Sequence, residues 1–166
     1  MRAIVLAGLC GMTPLPAMAD PFEDFGTAMK YGLPAAAAIC AIRDDRIEDF
    51  AVRGILQAAV VYALKSWTDG SPMARRPSGE GRGFPSGHSA AAAFGAADLA
   101  GKCFQDDRFA GAMAYGAAGL AAASRVHAGE HTTEQVMTGV LIGFSFGAAS
   151  FGIGSEGAAF SVGMKF

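Results

Sequence analysis

The 166-residue sequence predicts an all-α protein, a bundle of about five helices embedded in a membrane. Three observations carry that prediction. Apolar residues make up 52% of the chain, much of it Ala interleaved with 23 Gly, and mean hydropathy is +0.32. β-Branched residues are sparse, which disfavours sheet. Charge-free stretches recur at 31–42, 54–64, 84–97, 109–124 and 135–155, each bounded by polar or charged residues. The length suits one domain. A formal charge of −2 gives no general attraction to nucleic acid.

The first nineteen residues read as a secretory signal. Arg2 supplies a positive start, Ala3 to Met12 an apolar stretch, and Ala17-Met18-Ala19 a small-x-small cleavage site. The mature domain is then 20–166, delivered to a bacterial envelope compartment. Leu9 before Cys10 poorly fits a lipoprotein site, so no lipid anchor is expected.

Residues 20–27 read as a polar entry. The first helix covers 28–42 and ends at Arg43-Asp44-Asp45-Arg46; the second covers 47–65. Residues 67–83 form a loop rich in Gly, Pro, Ser and Arg, long enough to indicate function rather than mere connection. A third helix covers 86–102, Gln105 to Arg108 is a polar turn, and a fourth helix covers 109–125. Thr132 or Thr133 caps a fifth helix reaching residue 151. The tail 158–166 alternates apolar and small or polar residues, as a short strand or a surface-lying segment does. Cys40 and Cys103 each lie at or in an apolar helix and read as two small buried thiols rather than a disulfide.

A hydrocarbon core needs about 20 apolar residues in a helix, and only the run 135–155 reaches that alone. The fifth helix carries Gly139, Gly143 and Gly147, spacing that lets helices approach closely in lipid. Gly is costly in a soluble helix. This favours an integral inner-membrane protein, with a soluble periplasmic bundle as competitor. His131, Gln135 and the three glycines follow each other at intervals of four, so they share one ridge. His88, Ala91, Ala92 and Gly95 make another small-residue face, and Ala118, Ala121 and Ala122 lead to Arg125 on a third. Close packing is therefore expected to set how the two His and the Arg meet.

The stretch Gly83-Phe84-Pro85-Ser86-Gly87-His88-Ser89 joins the loop to the third helix. Ser86 and Gly87 stand where free backbone N–H groups point at an anion, with His88 on the first turn beside it. Ser124-Arg125 and His131 follow; Arg suits phosphate oxygens. P-S-G-H followed by S-R-x5-H resembles the type 2 phosphatidic acid phosphatase (PAP2) superfamily over roughly residues 31–152. That group takes in lipid phosphate phosphatases, bacterial class A acid phosphatases and vanadium haloperoxidases.

The resemblance implies a PAP2-type bundle and a phosphatase facing the periplasm, acting on a lipid phosphate or diphosphate without cofactor or metal. It implies His131 as nucleophile, forming a phosphohistidine, and His88 as general acid. It implies Lys65, Arg76, Ser86, Gly87 and Arg125 as the phosphate cradle. Two departures stand out. Ten residues separate Lys65 from Arg76-Pro77 where the family has six, so either residues near 70–74 bulge out or Lys65 lies outside the site, and Arg75 competes with Arg76. Gln135 occupies the place of the Asp that supports the nucleophilic His, with Glu134 as the alternative support. Rival readings are a soluble broad-specificity periplasmic acid phosphatase, a vanadium haloperoxidase and a non-catalytic protein on the same fold. His127 reads as structural, Glu80 and Arg82 as a solvated pair, and Asp44-Asp45 and Asp106-Asp107 as solvated turns.

Overall fold

The computed structural model describes residues 20–79, 81–154 and 157–162. The expected signal 1–19, Glu80 and the last residues of the tail lie outside these. The order is α1 (Pro21–Arg43), α2 (Ile47–Trp67), a 3₁₀ turn (Pro72–Ala74), α3 (Gly87–Asp98), a π turn (Leu99–Cys103), α4 (Arg108–His127), α5 (Thr133–Ala148), β1 (Ala149–Gly154) and β2 (Gly157–Val162). The protein is the expected helical bundle, closed by a small antiparallel hairpin.

Three expected element bounds are corrected. The polar entry is helical, because Asp20 caps α1: its side chain accepts the Phe22 N–H at 2.9 Å, Pro21 sits at the first helical position, and Glu23 and Asp24 face the positive helix end. The third helix loses its α geometry at Asp98 and finishes as a π turn. The fifth stops at Ala148 and the chain continues as β1, so the run 135–155 is divided between a 16-residue helix and a strand. Among the described residues, α1 is the one helix long and apolar enough to cross a membrane by length and composition.

Helix α3 is the hub. Its face Ala92 and Ala96, with Leu99 of the π turn that follows, packs against Leu33 and Ala37 of α1 and Ala114, Ala118 and Ala121 of α4. On its other side lies the glycine ridge of α5. A methyl at Gly139, Gly143 or Gly147 would overlap the backbone carbonyl of Ser86, Ala90 or Phe94 respectively. Alanine cores bury little area per residue, so this bundle depends on backbone-to-backbone proximity, which any side chain on the ridge would prevent.

Cys40 and Cys103 form a disulfide, not two separate thiols. The last turn of α1 lies beside the π turn, with the Cα atoms 6.3 Å apart, a separation that suits the bond. Closing a loop of this length stabilises by about 4 kcal/mol on the chain-entropy account.

The same end of the bundle holds a buried ionic cluster. Arg53 and Asp98 are both fully buried and pair at 2.6 Å, with Asp49 on Arg53 at 2.7 Å and Lys102 on Asp98 at 3.4 Å. Arg53 also donates to the carbonyls of Phe146 and Gly147, satisfying groups that the end of α5 leaves without helical partners.

Candidate active site

The opposite end of the bundle gathers the start of α3, the end of α4, the start of α5, the end of α2 and the loop between α2 and α3. Ser86 is the N-cap of α3: its oxygen accepts from the Ser89 N–H at 3.4 Å and the Ser89 hydroxyl at 3.0 Å. Its own N–H donates to the Gln135 carbonyl at 2.9 Å, tying α3 to α5. Gly87 and His88 follow in the first turn, as expected.

On α5, Thr132 and Gln135 form a capping box. Gln135 does more than cap. Its Oε1 lies 3.1 Å from His131 Nδ1 and accepts the Thr132 N–H at 3.2 Å, while its Nε2 donates to the carbonyls of Met73 at 2.8 Å and Arg75 at 3.0 Å. The two carbonyls fix which end of the amide is the donor. The oxygen therefore faces the imidazole, Nδ1 carries the proton, and the lone pair is left on Nε2. Glu134 is exposed and does not take this place.

The loop closes over the same point. Gly83 donates to the Ala74 carbonyl at 2.7 Å, and a side chain at Gly83 would strike Arg76 and the Gln135 amide. Lys65 donates to the Arg82 carbonyl at 2.8 Å, and its Cε lies 4.0 Å from where a Gly87 side chain would begin. Lys65 is thus at the site despite the long spacing. The surplus residues are the turn at Gly70 and the 3₁₀ turn Pro72–Ala74, and they supply one of the two acceptors for Gln135. Arg75 contributes its carbonyl and is exposed, whereas Arg76 turns inward to Glu130 at 2.8 Å.

Arg125 is buried. It donates to Glu23 of α1 at 3.3 Å and lies 3.9 Å from Glu130, while its Nε has no partner among the described residues. Neither Glu23 nor Glu130 stood out in the sequence, because an isolated acid in a first turn or a tight turn is normally solvated. The pattern of one acid directly before His131 was the only available sign.

The cations weaken one another. His131 is pushed down to about 4, by burial first and then by Arg76 and Lys65, against the opposing hydrogen bonds of the Gln135 side chain and the Gly83 backbone. His88 is pushed down to about 4 by burial, Lys30, Arg125, His131 and Arg76. Lys65 falls to about 8 through burial, Arg76 and Arg82. Both imidazoles thus lie in one positive field, on the same end of the bundle. Groups that discharge each other in this way gain most from a multiply charged anion.

Elsewhere the charged side chains form structural pairs and caps, while Glu80, the expected partner of Arg82, lies outside the described residues. His127 is exposed and pairs with Asp20 at 2.9 Å, joining the ends of α4 and α1. Arg82 lies near Asp69 at 3.8 Å and over the Tyr62 ring. Asp107 caps α4 through the Ala110 N–H, and Asp44 pairs with Arg46.

A helical bundle that ends in two imidazoles, two guanidiniums and a capped helix N-terminus has the architecture of a helical phosphatase. The family model of the PAP2 superfamily matches residues 49–156, and the chain belongs to that superfamily. The match runs from the first turn of α2 through β1 and takes in every site residue expected from the sequence. No curated protein and no solved structure matches the chain. Membership brings a phosphatase-type hydrolase function in general.

Proposed function

We propose that the protein removes phosphate from a lipid phosphate or diphosphate through a phosphohistidine on His131. The observation that carries this reading is the His131–Gln135 hydrogen bond through Nδ1, which assigns Nε2 as the nucleophile, in the field of Arg76 and Lys65 and with the Gly83 backbone also hydrogen-bonding the ring. Nε2 attacks phosphorus, the bond from phosphorus to the lipid oxygen breaks, and His88 gives that oxygen a proton. Water then attacks the phosphohistidine, with His88 taking the proton, and inorganic phosphate leaves. His88 is neutral near pH 7 before substrate arrives. A phosphate monoester, whose second pKa is near 6, brings the proton as its monoanion. Lys65, Arg76, Arg125, Ser86 and the Gly87 N–H hold the phosphoryl oxygens, where positioned donors do much of the work.

A groove supports the lipid substrate. It lies between α4 and α5, has a volume of about 470 Å³, and is lined by Gly119, Ala122, Ala123, Val136, Met137 and Val140, with His127 and Thr133 at one end. Arg125 and His131 lie next to that end in the chain. A hydrocarbon chain in the groove would thus continue from a phosphate in the cradle. Ala123 is exposed and Ala123→Phe would fill the groove without touching the core. The expected result is at least a tenfold fall in the ratio of long-chain lipid phosphate turnover to p-nitrophenyl phosphate turnover. An unchanged ratio removes the groove from the reading. Wild-type activity on soluble esters alone favours the broad-specificity acid phosphatase.

Location has two constraints. Large apolar side chains are exposed on all four outer helices, among them Tyr31, Ile55, Phe109 and Leu141, which supports contact with lipid. The disulfide lies at the far end of α1 from Glu23, roughly 26 Å away along the helix axis. A bundle crossing the inner membrane with its site in the periplasm would put that bond at the reducing face. We therefore place the whole bundle on the periplasmic side, against the membrane surface. Maleimide labelling of intact cells should find Cys40 and Cys103 reactive only after reduction, and alkaline carbonate should release the protein. Free thiols in a carbonate-resistant protein restore the spanning arrangement.

A further inference from the structure

We propose that Glu130 is a built-in competitor for the substrate's phosphate, holding the two arginines of the cradle until an anion displaces it. This rests on the reading of the site as a phosphate site and concerns how tightly it binds. Glu130 reaches Arg76 at 2.8 Å and Arg125 at 3.9 Å, so one carboxylate bridges the two guanidiniums. Arg125 is only 5% exposed at its side chain and Glu130 is 34% exposed. The arginine is held in place by burial and by Glu23, whereas the acid is partly exposed.

The backbone makes this a side-chain movement. Gly129 adopts φ 68°, and the N–H groups of Glu130 and His131 both donate to the Arg125 carbonyl, at 3.1 and 3.2 Å. The main chain on either side of Glu130 is thereby pinned to the end of α4. Rotation of the Glu130 side chain toward solvent withdraws its carboxylate from both guanidiniums without moving His131, and Arg125 keeps Glu23. A phosphate entering the cradle meets a like charge on the same two partners, so the carboxylate is repelled as the phosphate is attracted. The same exchange runs in reverse after hydrolysis. Inorganic phosphate leaves more readily because Glu130 takes back its partners. The acid thus trades affinity for release.

The test is calorimetric titration of inorganic phosphate into the full protein, comparing wild type with Glu130→Gln and Glu130→Ala. Both variants should bind phosphate about tenfold more tightly and show stronger product inhibition. Without phosphate both should melt at lower temperature, since two neighbouring guanidiniums lose their shared counter-charge, and phosphate should raise their melting temperature more than that of wild type. Weaker or unchanged phosphate binding in either folded variant overturns the proposal; weaker binding makes Glu130 a positioning residue for Arg76. The two readings fail separately. A wild type that hydrolyses phosphate esters, with variants of unchanged affinity, sinks only the competitor. A wild type that binds no phosphate sinks both.

Discussion

His131→Ala should abolish turnover, by roughly 10⁴-fold or more, with folding intact, because in the proposed mechanism it removes the atom that attacks phosphorus. His131 is 4% exposed at the head of α5, so the variant leaves a small gap rather than a broken core. Gln135→Ala should cost less, about 10- to 100-fold, as expected of a group that orients a reactive imidazole from behind. Equal losses at the two positions would contradict an orienting role for Gln135. Gln135→Asp separates its two tasks. A carboxylate still accepts from His131 Nδ1, yet it cannot donate to the carbonyls of Met73 and Arg75, which Gln135 Nε2 now holds at 2.8 and 3.0 Å. The loop carrying Arg76 loses its anchor, so KM should rise several-fold more than kcat falls. Trapping of phosphate on His131 in wild type and in Gln135→Asp, but not in His131→Ala, completes the comparison.

Asp98→Ala should be the most damaging change to stability. Both Asp98 and Arg53 are fully buried, and Arg53 depends on Asp98 at 2.6 Å and on Asp49 at 2.7 Å. Removing one partner of a buried pair costs about 3–5 kcal/mol because the remaining charge has lost its answer. For a domain of this size that lowers Tm by on the order of 10 °C or more. Lys102 and Arg46 also face Asp98, at 3.4 and 3.7 Å, so three cations would be left together. The double change Arg53→Met with Asp98→Leu should recover much of the loss, since a packed apolar pair avoids the desolvation. The catalytic end is far from this cluster, so the folded fraction of Asp98→Ala should keep its turnover at low temperature. A loss below about 1 kcal/mol in thermal or denaturant unfolding would show that solvent reaches the cluster.

The two departures from the family pattern meet in space. The long spacing before Arg76 forms the turn that carries Met73, and the amide at 135 donates to that residue's carbonyl, which an Asp is unable to do. Each looks like a defect along the chain; together they form one anchored loop. Other parts were open to local reasoning. The cap at Ser86 and the run of small residues behind His88 placed α3, and the four-residue interval from His131 to Gly147 identified the ridge that packs on it. The start of α1 was missed because residues 20–27 read as a polar entry, although their acids suit a helix N-terminus.

By itself the sequence determined the helical class, the ridge of glycines and the candidate residues of the site, since caps, periodicity and short motifs act over a few neighbouring positions. Only the tertiary structure decided the Cys40–Cys103 bond, the seat of Glu130 between two arginines and the burial of Arg53 with Asp98. Those pairings join positions up to 63 residues apart, and a charge or thiol reveals its partner only when folding has removed the water between them.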